Sequence, residues 1–65
     1  MQRTYSYRIT GYYEADGVLE RFDKEVVATD NIEAITLVIG RVAWQLSRED
    51  KTFKLDSVHY EILRG

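Results

Sequence analysis

Sixty-five residues make one domain with a marginal core, because a chain this short buries only about 60% of the surface its unfolded form exposes. With no Cys there is no disulfide to reinforce that core, and a single His, His59, without a thiolate beside it argues against a zinc site. An apolar fraction of 45%, a charged fraction of 31% and a net charge of −2 fit a globular domain and not a disordered chain, and the acidic balance argues against non-specific nucleic-acid binding.

The first half of the chain predicts a β-hairpin. Tyr5, Tyr7, Ile9 and Tyr13 alternate with Thr4, Ser6, Arg8 and Thr10, a period of two in β-favouring residues. Asp16-Gly17 is a type I′ turn signal, since both central positions need positive φ. A second run, Val18 to Thr29, follows. Pairing Ala15 with Val18 sets the register. One face then holds Tyr13 with Glu20, Gly11 with Phe22, Ile9 with Lys24, Tyr7 with Val26 and Tyr5 with Ala28. The other holds Tyr12 with Arg21, Thr10 with Asp23, Arg8 with Glu25 and Ser6 with Val27. The first face is mostly apolar, and the Phe22 ring covers the space that Gly11 leaves. Lys24 is its misfit, with a stem that can run along the core rim while its ammonium stays in water. On the polar face, Arg8 opposite Glu25 is a favourable charge pair.

A helix is predicted from about Asn31 to Ser47. Asp30 and Glu33 form a capping-box pattern, and Ile32, Ile35, Val38, Ile39, Val42, Ala43 and Leu46 recur on one face. The last segment alternates as a strand, with Val58, Tyr60 and Ile62 on one side and His59, Glu61 and Leu63 on the other. Phe53 and Leu55 have the opposite parity, so a turn or bulge near Asp56-Ser57 resets the phase.

The expected fold class is α+β: a single β-β-α-β domain over residues 1–65, with sheet order 2-1-3 and one helix on one face. That is a split β-α-β unit, half of a ferredoxin-like arrangement, an architectural likeness that carries no function. The expected core is Tyr7, Ile9, Phe22, Val26, Ile35, Val38, Ile39, Val42, Leu46, Val58, Tyr60 and Ile62.

Catalytic signals are sparse. There is no glycine-rich phosphate loop, no nucleophile elbow and no metalloprotease motif. His59 reads as a solvated sheet residue, and Glu14, Asp16 and Glu20 as a solubilising cluster at a convex hairpin tip. The expectation is therefore no catalytic residue, no cofactor and no metal. The RNA-recognition pattern of sheet aromatics is also missing, and Tyr12 alone among the early tyrosines falls on the open face. No apolar stretch reaches the about 18 residues of a membrane span, and the first residues lack an apolar signal-peptide core, so a cytoplasmic protein is expected.

Two surfaces are left over. Leu37, Arg41, Trp44 and Arg48 make a line on the helix away from the core stripe, and Trp and Arg are enriched in binding hot spots. Trp44 bending over the helix end onto Phe53 or Leu55 is the competing arrangement. The open sheet face, with Tyr12, His59 and Leu63, is a secondary candidate surface. The third strand has the less guarded edge and can pair across a two-fold axis. A non-catalytic protein-interaction module follows, a homodimer acting on a protein partner. The alternatives are a phage- or plasmid-type inhibitor that mimics nucleic acid through its carboxylates, or a weak nucleic-acid binder using the sheet.

Overall fold

The structure is a computed structural model that describes residues 3–64. Two strands, β1 (Tyr5–Ala15) and β2 (Val18–Ala28), form the hairpin. The helix α1 (Asn31–Arg48) and the strand β3 (Phe53–Arg64) follow. The sheet order is β2-β1-β3, and both neighbours run antiparallel to β1. The fold is the α+β arrangement expected, with β2 and β3 running the same way on either side of β1.

The hairpin register is the one the sequence predicts, from Ala15 opposite Val18 to Tyr5 opposite Ala28. Asp16 and Gly17 take φ of 51° and 81°, the left-handed pair that a type I′ turn requires. Asp16 does more than solubilise the tip, which corrects the expectation for that acidic cluster. Its Oδ1 accepts the Thr52 N–H at 2.8 Å, and its own N–H donates to Thr52 Oγ1 at 3.1 Å. The hairpin turn is thereby tied to the residue that precedes β3.

At the helix start, Asp30 accepts the Glu33 N–H at 2.8 Å, and the Glu33 carboxylate reaches back to the Thr29 N–H at 2.8 Å. The first bond satisfies a backbone donor that helix geometry leaves without a partner, and the second ties the residue before the cap to the first turn. At the other end Asp50 takes a left-handed φ of 59°. Lys51 N–H then bonds the Leu46 carbonyl at 2.9 Å and Asp50 N–H the Ser47 carbonyl at 3.1 Å, a Schellman stop.

β3 is regular only in its middle. Tyr12 pairs with Ser57 and Tyr13 with Leu55, which leaves Asp56 as an extra residue and resets the phase where the sequence predicts it. A second break, which the sequence reading missed, lies between Ser6–Arg64 and Tyr7–Ile62 and leaves Leu63 as the extra residue.

The buried core is Tyr7, Ile9, Phe22, Ala28, Ala34 and Val38, with Ala15 and Leu46 also buried. Tyr13 bridges Phe22 and Phe53, with ring centroids 6.1 and 5.8 Å apart, and Tyr7 meets Tyr60 edge-on at 6.4 Å. Other expected core residues lie at its margin: Val26, Ile35, Ile39 and Val58 are half-buried and pack against it, and Val42 is half-buried. Tyr60 and Ile62 are not in it, being 51% and 56% exposed. Ile32, read as part of the core stripe, is 71% exposed.

The physical reason is the way the helix is turned. Its buried line is Ala34, Val38 and Leu46. At 100° per residue that line is centred about 60° around the helix from the centre of the predicted stripe. Small side chains, Ala28 and Ala34, let helix and sheet approach closely, and the isoleucine side of the stripe turns onto a flank.

The charge pairing on the open sheet face also differs from expectation. Arg8 stands opposite Glu25 in the register, but its guanidinium forks onto the diagonal neighbour Asp23, at 2.9 and 2.6 Å. A bidentate fork with a carboxylate is the stronger geometry. The Arg8 hydrogen bond holds the Asp23 carboxyl below its ordinary range. A group depressed in the folded state stabilises the fold above its unfolded pKa, about 3.9 for Asp, and loses that contribution as pH falls through the folded value. In Arg8→Ala the Asp23 carboxyl is expected to titrate at higher pH, as followed by NMR. An unchanged titration would mean that Arg8 does not set it.

Candidate functional site

Helical spacing places Leu37, Arg41, Trp44 and Arg48 on one flank of α1, because positions three, four and seven apart fall near one line. Trp44 is 59% exposed and Leu37 41% exposed. The Arg48 guanidinium lies 4.9 Å from the centre of the Trp44 ring, a cation–π contact one turn away on the same helix. Phe53 stacks on Tyr13 instead of on Trp44, so the aromatic cluster at that end of the sheet is closed without the indole. Among the described residues, neither Arg41 nor Arg48 has a carboxylate within ion-pair distance. The flank therefore offers an apolar ring and a leucine beside two guanidinium groups free to take a carboxylate.

Next to this flank, between α1 and β2, runs an open groove of about 540 Å³. Its floor is apolar, formed by Tyr13, Ala15, Val38, Val42 and Leu46. Its rim is charged, with Glu20 and Lys24 from the hairpin and Arg41 from the helix. This is where the Lys24 misfit is resolved: the side chain stands at the groove edge, exposed, opposite the buried Ile9. At the helix end Gln45 donates to Glu49 at 2.6 Å, and Lys51 pairs with Glu49 at 3.3 Å. These two partners hold the Glu49 carboxyl below its ordinary range. The sequence reading missed this groove, because a lysine and a glutamate on an otherwise apolar strand face were its only signal.

The secondary surface is less coherent. Tyr12 and His59 are exposed on the open sheet face, and Leu63 is the extra residue of the second bulge, so the three do not form one regular row. The carboxylates of that face are interleaved with cations. Arg8 and Arg21 both reach Asp23, the latter at 3.6 Å. His59 stands opposite Thr10 with no nucleophile or carboxylate bonded to it among the described residues. Among those residues no three His, Asp or Glu side chains gather as a metal ion would need, and no helix is long and apolar enough to cross a membrane. Comparison with protein families, with curated proteins and with solved structures finds no match to this chain.

Proposed function

We propose that the chain is a non-catalytic protein-interaction module that holds a partner protein on the Leu37–Arg41–Trp44–Arg48 flank and the adjoining groove. The observation that carries this is Trp44, which is 59% exposed, with the Arg48 guanidinium over its ring, instead of being folded into the core. A large apolar ring left mostly in water is a costly arrangement for a monomer and an effective anchor for a partner. The partner chemistry follows from the flank: an apolar side chain for Trp44 and Leu37, with a carboxylate for Arg41 or Arg48. The interleaved charges on the open sheet favour this over mimicry of nucleic acid, which needs carboxylates in an unpaired array.

Trp44→Ala is expected to weaken partner binding by about 2 kcal/mol or more, roughly thirtyfold in Kd, with little change in melting temperature. Trp44 is the one tryptophan in the chain, so its fluorescence reports its own environment. A partner captured in 1:1 ratio should shift that emission to the blue. If Trp44→Ala lowers the melting temperature and leaves partner recovery unchanged, the ring is an intrachain packing residue and the proposal fails. Salt-dependent retention of the wild type on immobilised nucleic acid would instead point to nucleic-acid binding.

A further inference from the structure

The sheet has two outer edges with different chemistry. β2 carries Glu20, Arg21, Asp23, Lys24 and Glu25 in six residues, the kind of charge density that keeps an edge from pairing. β3 between its two bulges, Ser57 to Ile62, carries one formal charge, Glu61, beside His59. On the helix side of this stretch Tyr60 and Ile62 are half exposed. The helix adds the exposed Ile32 to the same side, with Ile35 and Ile39 half-buried beside it. Arg41 and Gln45 line the groove with β2, so the opposite flank, with Ile32, Ile35 and Ile39, runs along β3.

The dimensions agree with a missing companion. The chain exposes 4842 Å², about 500 Å² more than a compact monomer of 7.6 kDa. Its radius of gyration is 12.6 Å, against about 11 Å for a compact chain of this length. The surplus surface is of the same order as the about 800 Å² that each partner buries in a standard interface.

We infer that a second copy of this chain covers that surface, with β3 pairing antiparallel to itself about a two-fold axis at Tyr60. Direct partners in an antiparallel pair share a face, so the axis must pass through a residue and both helices come to lie on one side of a six-stranded sheet. Centring on Tyr60 sets His59 opposite Glu61 twice and Val58 opposite Ile62 twice. An imidazole donor then faces a carboxylate, and two apolar pairs face each other. Centring on Glu61 would oppose two carboxylates, and centring on His59 would leave Glu61 opposite Ser57. The spacing also fits. With strands about 4.8 Å apart, helices over the two β1 strands run about 14 Å from one another, 4–6 Å wider than direct helix packing. One layer of side chains fills that gap, and Tyr60, Ile62, Ile35 and Ile39 stand where it is needed.

This interface uses the β3 side of the molecule and does not depend on the Trp44 surface. Sedimentation equilibrium of the wild type is expected to give twice 7.6 kDa at micromolar concentration. Glu61→Lys should weaken self-association by about tenfold or more, because both His59 imidazoles lose the carboxylate they face, and His59→Glu in the same chain should restore it through two opposite-charge contacts. A single-cysteine scan tests the register, because the chain has no Cys of its own. In Tyr60→Cys the two thiols face each other at Cα distances of about 4.5–5.5 Å, within disulfide range. In His59→Cys and Glu61→Cys they lie about 8 Å apart, beyond it. Oxidation should therefore cross-link position 60 far faster than 59 or 61, while circular dichroism verifies that each variant is folded. A wild type that stays at 7.6 kDa to high concentration overturns the proposal, as does cross-linking that peaks away from position 60. So does a dimer that dissociates on Trp44→Ala, since the helix flank would then be the contact.

Discussion

Gly11→Ala is expected to unfold the domain or bring it to the edge of unfolding. A Cβ at Gly11 would press into the Ser57 carbonyl oxygen well inside van der Waals contact, and would lie 2.9 Å from both Ser57 C and Phe22 Cζ. The Phe22 ring can tilt away, but the Ser57 carbonyl is backbone, so relief requires β1 and β3 to separate beside the Asp56 bulge. Overpacking a core typically costs 1–3 kcal/mol, and a backbone clash in the central strand belongs at or above the upper end. A 65-residue domain has roughly 3–10 kcal/mol in total. Thermal melting by circular dichroism should show a loss of more than about 10 °C or no folded baseline. A melting point within a few degrees of wild type would show that the strands accommodate the methyl group.

Truncating Ile9 is the second large effect. Ile9 is fully buried in the central strand, with Lys24 opposite it on one side and Tyr60 on the other. Ile9→Ala is expected to cost about 2–5 kcal/mol, since neighbouring strands hold the cavity open. Ile39, which the helical stripe alone would nominate for that role, is half-buried, and Ile39→Ala should cost less than Ile9→Ala. Urea titration of the two variants decides the order. Equal midpoints would mean that the sheet packs more tightly against Ile39 than the structure places it. Where two copies associate, the midpoint of the wild type rises with protein concentration, and Ile39→Ala, which thins the layer between the two helices, should flatten that rise.

What can be read from the chain alone is what depends on neighbours in sequence. The Asp16-Gly17 turn sets the hairpin register, because two consecutive positive φ angles admit few residues and a one-residue slip would turn every side chain over. The Asp30–Glu33 cap and the apolar period place the helix start at Asn31. The parity break before Val58 marks the Asp56 bulge. Strand order follows from there, since a hairpin, one crossover helix and a last strand leave few arrangements. The line of Leu37, Arg41, Trp44 and Arg48 is legible for the same reason, being a matter of helical spacing.

What the tertiary structure decided is how those elements face each other. An apolar stripe seven residues strong covers a wider arc than one helix can press onto a three-stranded sheet, and periodicity does not say which part of it goes down. Close contact through Ala28 and Ala34 chose the Val38 line, which left Ile32, Tyr60 and Ile62 in solvent. The diagonal fork of Arg8 onto Asp23, the grip of Asp16 on Thr52 and the groove beside Lys24 all join residues far apart in sequence. Each depends on the twist and spacing of packed elements, quantities that no local pattern of residues encodes.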